Sequence, residues 1–251
     1  MKIHGLSVMR NEADRYLADC LQWNLPFFDD WFIWDDRSTD GSVDLAETLS
    51  EKITVGVRGM TDLSFMEHEG RFRQDGWEAF EKAIRPEHKD VVVAVDLDEF
   101  ITLKESCDPA YVRSAFESFA AKAGGYVSQE ISFVEVFDVD LRGVPSFRTD
   151  GFWGNISGKR LFSYKVGGKF PDRPMGCGSA PEYVLKTSAL GAHPELRFLH
   201  YGYAVFEDRV DKFDRYSSLG NSGHHSSHIN SILTLPTLHQ WAGPHPFLSE
   251  K

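Results

Sequence analysis

The segment VVVAVDLDEF, Val91 to Phe100, constrains the fold more than any other stretch of the sequence. Five apolar residues in a row fit a strand buried on both faces, the habit of a parallel sheet covered by helices on each side. Three carboxylates, Asp96, Asp98 and Glu99, then fall within four positions. Residues alternate sides along a strand, so Asp96 and Asp98 are expected to point the same way where the strand ends. Two anions held that close repel each other unless a cation or a shared proton joins them. A hard divalent cation suits the pair, because Mg2+ or Mn2+ takes carboxylate oxygens, keeps some waters and fills its remaining positions with substrate phosphates. A solvated turn is the competing reading of so short a pattern.

Periodicity before this segment predicts strands alternating with helices. Ile3–Met9 reads as a strand, with Asn11 as a side-chain cap for a helix whose apolar positions are Ala13, Tyr16, Leu17, Cys20 and Leu21. Trp31–Trp34 and Ile53–Val57 are the next strands, and Ser42–Ser50 is the helix between them. Phe72, Gly76, Ala79, Phe80, Ala83 and Ile84 mark a further helix that Pro86 ends. In a parallel sheet so built, ligands gather beyond the carboxyl ends of the strands. Arg10, Asn11, Glu12, Asp35, Asp36, Asp96 and Asp98 all fall at those ends. Later, a helix from Pro109 to about Lys122 and a strand-rich segment from Tyr126 to Asp138 are expected. Gly151–Ser179 reads as loops and short strands around a cleft, Leu196–Ala204 as strand and Glu207–Tyr216 as helix. From Ser217 a wrapping or partly mobile tail is expected.

The net charge of −11 over 251 residues works against binding a phosphate backbone, which sets aside a general nucleic-acid role. Lys159–Arg215 runs the other way, with ten Lys and Arg against seven Asp and Glu. An anionic ligand held between the acidic half and this stretch is consistent with that asymmetry. The three cysteines, Cys20, Cys107 and Cys177, are far apart and form no CxxC, so neither a disulfide framework nor a zinc site is expected. No apolar run has the length of a membrane span or a signal peptide, and a cytoplasmic location is the expectation.

DDRSTDG, Asp35 to Gly41, is the second informative cluster. Ser38, Thr39 and Asp40 are ordinary helix caps, but capping does not explain the Asp35-Asp36 pair, and Asp36 is placed to accept hydrogen bonds from a ribose or base. Taken in order, MRNEADRYLADCL, WFIWDDRSTDGS and VVVAVDLDEF resemble the family-2 glycosyltransferases of GT-A fold, in particular bacterial and phage members whose metal motif reads DxDEF. FLHYGYAVFEDRVDKFDRY is similar to that family's His-containing strand followed by a Lys-bearing helix.

The resemblance implies an α/β fold of GT-A type, a Rossmann-like, mostly parallel sheet flanked by helices in a single domain. That domain is expected over 1–216, with a donor half at 1–100, an acceptor half at 101–216 and a C-terminal tail at 217–251. It implies an enzyme that uses Mn2+ or Mg2+ to move a sugar from a nucleotide diphosphate donor, uridine being the commonest base, to an acceptor hydroxyl. Asp36 matches the nucleoside-binding aspartate, with Arg10 and Glu12 beside the base pocket. Asp96 is placed near ribose and metal and is counted with Asp98 and His200 among the metal ligands, Asp98 binding directly. Lys212, with Arg215 as a second cation, is placed to neutralise phosphate, and Gln74, with Asp75, Arg71 and Arg73 nearby, at a polar nucleotide contact. The base that takes the acceptor's proton is assigned to Glu182 in APEYVL, where the family's usual ED pair is not kept, with Asp172 in KFPDRP as second choice. Both also read as plain surface carboxylates. The acceptor is a glycan, a protein or a small molecule, and modified DNA stays open.

Two features stay outside these roles. Trp153, Phe152, Tyr164, Tyr201 and Tyr203 are either sugar-stacking surfaces or core, and HHSSH, His224 to His228, is either a metal pair or a surface loop. Three other classes share parts of the pattern, one of them a sugar nucleotidyltransferase, which typically opens with a Gly-rich, basic phosphate loop that MRNEAD does not offer. A phosphatase of haloacid dehalogenase type also ends a strand in DxD, but near its N-terminus and without a nucleotide-like unit ahead of it. A nucleotide-sugar-binding module that keeps the pocket and lacks the base is the third.

Overall fold

The computed structural model describes residues 1–60, 67–122, 127–172, 179–218 and 226–246, without the side chains of 152, 155, 218 and 226–228. The first half alternates strand and helix: β1 (Ile3–Met9), α1 (Leu17–Asn24), β2 (Asp30–Asp35), α2 (Ser42–Leu49), β3 (Ile53–Val57), α3 (Glu69–Ile84) and β4 (Val91–Ala94). The second half adds β5 (Glu99–Leu103), α4 (Pro109–Lys122), β6 (Ser128–Val139), β7 (Pro145–Arg148), β8 (Ser157–Ser163), α5 (Glu182–Lys186), β9 (Ala189–His200), α6 (Phe206–Ser218), α7 (Ser226–Ser231) and β10 (Leu238–Gln240).

The strands join in one sheet of order β10-β7-β6-β8-β4-β1-β2-β3, with β9 pairing both β6 and β5. This is the expected α/β architecture of a sheet flanked by helices. Its parallel part is β4-β1-β2-β3. β8 joins antiparallel to β4 and carries the second half, in which β6 and β9 are again parallel.

Burial on two faces explains the unbroken apolar runs. Trp31, Ile33, Val91 and Val93 pack with Leu17, Cys20 and Leu21 of α1 and with Val112, Phe116 and Phe119 of α4. Their alternate neighbours Phe32, Trp34, Val92 and Ala94 pack with Phe72, Trp77 and Phe80 of α3. Each of these strands therefore needs apolar residues at every position. Gly76 belongs to this packing, because a Cβ there would meet the Trp34 ring at 2.7 Å.

One local expectation is corrected. Asn11 does not cap α1: it has φ 54°, and its Oδ1 accepts a hydrogen bond from Thr39 N, tying the β1 loop to the β2 loop. The helix begins only at Leu17. Where it is described, the chain after 217 packs against the second half. β10 pairs with β7, Ile229 and Ile232 are buried, and Arg148 donates to Ser231 O and Thr234 Oγ1. Among the described residues no helix is long and apolar enough to cross a membrane, and Cys20 and Cys107 are free thiols. Cys177, His224 and His225 lie outside the described residues.

Candidate functional site

The chain steps outward from β1 to β2 to β3 and then returns to place β4 on the other side of β1. The loops leaving β1 and β4 therefore part at their carboxyl ends, with α1 on one face and α3 on the other, and such a switch point is where open α/β sheets bind ligands. Charged side chains gather there in three groups.

The first centres on Asp36, which is 2% exposed. Arg10 donates to its Oδ2 and Arg58 to its Oδ1, each at 3.0 Å. Arg58 is itself buried and lies over the Phe72 ring, whereas Arg10 is largely exposed. Asp35 is spent locally, accepting hydrogen bonds from Ser38 N and Ser38 Oγ.

The second forms where β4 turns into β5. The strand ends at Ala94, and Glu99 N donates to Asp96 O at 3.0 Å to close a tight turn. Strand alternation does not extend through a turn, so Asp96 and Asp98 diverge instead of sharing a side. Glu99, 1% exposed, staples the turn by accepting from Asp96 N at 2.8 Å. Arg160, from β8, donates through Nη2 to Asp96 Oδ2 at 3.0 Å and to Glu99 Oε1 at 2.8 Å. Burial pushes the Glu99 carboxyl up, with Arg160 opposing and Asp96 adding to the shift. Against the same burial, Arg160 holds Asp96 below its ordinary value.

The third centres on Asp98. His200, at the end of β9, sits with Nε2 3.4 Å from Asp98 Oδ2, and its Nδ1 meets Glu135 Oε2 at 2.5 Å. Lys212 of α6 brings Nζ to 3.8 Å from Asp98 Oδ2 and 4.4 Å from the centre of the Tyr203 ring. Burial disfavours charge on the imidazole, but Glu135 and Asp98 override it and hold His200 protonated well above its ordinary range. Burial likewise opposes the Asp98 carboxylate, and His200 followed by Lys212 hold it well below the usual range. Gly202 makes room for this convergence. A Cβ there would stand 2.2 Å from Lys212 Nζ, 2.5 Å from Asp98 Oδ2 and 2.6 Å from His200 Nε2.

Asp98 and His200 are the pair that fits a hard cation. Two ligands at about 2.1 Å on adjacent octahedral vertices stand about 3 Å apart, close to the 3.4 Å between Asp98 Oδ2 and His200 Nε2. Glu135 completes a carboxylate–histidine arrangement that fixes the ring from behind. Among the described residues no group of three or more His, Cys, Asp or Glu gathers to cage a metal. A cation here would draw its remaining ligands from water or from a bound anion.

The other expected residues divide. Glu12 lies with the Asp98 group and not with Asp36: Arg15 is 3.5 Å away, and burial pushes the Glu12 carboxyl up to about 7, with Arg15 and Lys212 opposing and Asp98 adding. Arg15 also binds Asp208 at 2.9 Å, joining the β1 loop to α6. Gln74 clamps α3 to the segment before Asp172, donating to Glu78 and accepting from Phe170 N. Asp172 is exposed, and Glu182, at the start of α5, pairs with Lys186 at 2.6 Å. Trp153, Tyr164, Tyr201 and Tyr203 are all at most 5% exposed and belong to the core. On the α3 side of the sheet, Trp34, Arg73, Trp77, Asp96, Phe170 and Ser179 line a small cleft.

No family model and no curated protein matches the chain. Among solved structures it is similar to S. aureus TarS, with 16% identity and a TM-score of 0.44 over 93% of this chain and 42% of that chain. A structure of TarS 1-349 in complex with UDP-GlcNAc gives 15% identity and a TM-score of 0.45, covering 93% of this chain and 70% of that one. The manganese complex of Rv0371C from Mycobacterium tuberculosis gives 12% identity and a TM-score of 0.35, covering 66% of this chain and 73% of that one. The chain thus spans less than half the length of the first of these proteins.

Sequence reasoning missed Glu99 as a staple, and Glu135 and Arg160 altogether. A signal existed for two of them. Glu99 stands in EFITL and Glu135 in FVEVF, each a charge inside an apolar strand, and a buried charge requires a partner. Arg160, in GKRLFS, alternates like any half-exposed strand residue and carries no such mark.

Proposed function

We propose that the chain is a metal-dependent glycosyltransferase that moves a sugar from a nucleotide diphosphate donor, a UDP-sugar, to an acceptor hydroxyl. The observation that carries the reading is the convergence of Asp98, His200 and Lys212 on the space in front of Gly202, beside the switch point of the parallel sheet. Paired anion and cations of this kind suit a divalent cation together with a diphosphate. The ordered likeness to family-2 glycosyltransferases assigns the same residues.

Mg2+ or Mn2+, when bound, supplies positive charge that stabilises the diphosphate as a leaving group. Asp98 and His200 are the residues that would hold it, and Glu135 keeps the imidazole aimed. His200 must release its Nε2 proton to serve as a ligand, so cation uptake is linked to proton release. Lys212 presents an ammonium to the phosphate oxygens. Asp36 fixes Arg10 and Arg58 beside the nucleoside, Glu12 borders the phosphate side, Asp96 borders the cleft under α3, and Gln74 holds Phe170 of that cleft by its backbone. An inverting reaction also needs a carboxylate to take the acceptor's proton, and Glu182 and Asp172 are the candidates. Glycan, protein and small-molecule acceptors suit the acidic chain better than duplex DNA does.

Incubation with a panel of UDP-sugars and Mn2+ tests the reading. Wild type is expected to release UDP, and Asp98→Ala is expected to release none while keeping its circular dichroism spectrum. UDP release by the variant at the wild-type rate contradicts the assignment. Thermal stabilisation by different nucleoside diphosphates, with and without Mn2+, identifies the base. For the proton acceptor, Glu182→Gln and Asp172→Asn are compared: the variant that loses at least about 100-fold in turnover at unchanged donor affinity identifies it. Unchanged turnover in both removes both candidates.

A further inference from the structure

Asp96 and Asp98 are two residues apart in sequence, yet the turn between them gives each its own cations, and Arg160 holds Asp96. Its Nη2 binds Asp96 and Glu99, and its Nη1 donates to Ser179 Oγ at 2.8 Å. The guanidinium also lies over the rings of Phe133, 5.1 Å from the ring centre, and Phe198, 5.9 Å away. Held on its polar and apolar sides at once, it is only 13% exposed. Glu99 locks the arrangement, because one of its oxygens takes the Asp96 backbone N–H while the other takes Arg160. A planar fork seated this way is not released by a small rotation.

Asp96 therefore has one oxygen committed to Arg160, while Asp98 has turned towards His200 and Lys212. A divalent cation arriving alone finds two protein ligands, and the ammonium of Lys212 stands 3.8 Å from the Asp98 oxygen it needs. A diphosphate changes both conditions. It brings oxygens to complete the coordination shell, and it gives Lys212 another anion to face.

We propose that Arg160 is a positioning residue that keeps Asp96 off the cation, so that the chain takes up a divalent cation only together with a diphosphate; the proposal rests on the glycosyltransferase reading. Cation and nucleotide then enter and leave as one unit, and each raises the affinity of the other by the same factor.

Titration of Mn2+ followed by the electron paramagnetic resonance of free Mn2+ tests this, alone and with UDP or inorganic pyrophosphate. Wild type is expected to bind Mn2+ at least about tenfold more tightly with UDP present. Arg160→Met combined with Glu99→Gln removes the cation without stranding a buried carboxylate, and frees Asp96 to become a third ligand. That double variant is expected to bind Mn2+ alone at least about tenfold more tightly than wild type, with little further gain from UDP. Arg160→Lys, which keeps the charge, is expected to restore the dependence on UDP. Asp96→Asn, which needs no change to the buried Arg, is expected to leave Mn2+ affinity within about twofold of wild type, and a larger loss makes Asp96 a ligand and overturns the proposal. Tight Mn2+ binding by wild type without diphosphate overturns it as well, as does a folded double variant that binds Mn2+ no more tightly than wild type. Failure in the variants alone removes only the role of Arg160. Failure of wild type to bind Mn2+ with or without UDP also removes the glycosyltransferase reading.

Discussion

The Asp36 corner and the Asp98 corner each set a carboxylate between two cations, but they draw those cations from different places. Asp36 is satisfied by Arg10 and Arg58, which leave β1 and β3, so that corner is complete within the parallel half. Asp98 is satisfied by His200 and Lys212, and Asp96 beside it by Arg160, all from the second half of the chain. The first corner is thus a product of the local fold. The second exists only when β8, β9 and α6 have docked, and its charged groups can meet only because Gly202 has no side chain.

The strongest way to break this comparison is to crowd that meeting point. Gly202→Ala places a methyl within 2.6 Å of Lys212, Asp98 and His200. The variant is expected to fold and to lose at least about 100-fold in UDP release, the order expected when preorganised charge is displaced. Near-normal turnover would show that the meeting point is not used. A second test belongs to the first corner. Arg58→Leu leaves the buried Asp36 with only the exposed Arg10, and is expected to cost about 3–5 kcal/mol in urea unfolding, as for one partner removed from a buried pair. Arg10→Ala, removing an exposed side chain, is expected to cost about 1 kcal/mol or less. Equal losses would mean that the two arginines share the load.

The second corner has its own linkage. His200 has a folded pKa raised above its unfolded value by Glu135 and Asp98 despite burial. Its contribution to stability is therefore fully present below the unfolded pKa of about 6.5 and is lost as pH rises through the folded value. Glu135→Gln lowers that folded value. At pH 6 the variant is expected to be about 2 kcal/mol less stable than wild type, and the gap is expected to close as pH rises past the point where wild-type His200 deprotonates. A gap that stays constant with pH would assign Glu135 a packing role only. The smallest effect is expected at the periphery: Glu182→Gln breaks a helical pair with Lys186 that is well exposed, and is expected to shift stability by no more than about 0.5 kcal/mol. A loss of several times that would place Glu182 in the packing of the fold.

The same contrast sets what is legible in the sequence. The parallel half has local signatures, and β1 and β3 fall where periodicity places them, over Ile3–Met9 and Ile53–Val57. Asp36 and Asp98 stand out because each follows a buried strand. The cation that completes Asp96 leaves no such trace, since Arg160 is 64 positions from Asp96 and its pairing depends on β8 lying against β4, whereas His200 and Lys212 are reached only through the family resemblance. The turn at Asp96–Glu99 was likewise hidden. Strand alternation predicts a shared side for the two aspartates, and a single hydrogen bond from Glu99 N to Asp96 O overrides it. Asn11 shows the same limit, since a good cap residue is used instead to hold Thr39 of another loop.

A crystal structure grown with UDP and Mn2+, with the ion located by its anomalous scattering, tests the central claim most directly. The account predicts the ion between Asp98 Oδ2 and His200 Nε2, the diphosphate facing Lys212, and Asp96 still on Arg160. Nucleotide bound elsewhere, with the space before Gly202 left to the protein's own salt bridges, would contradict it.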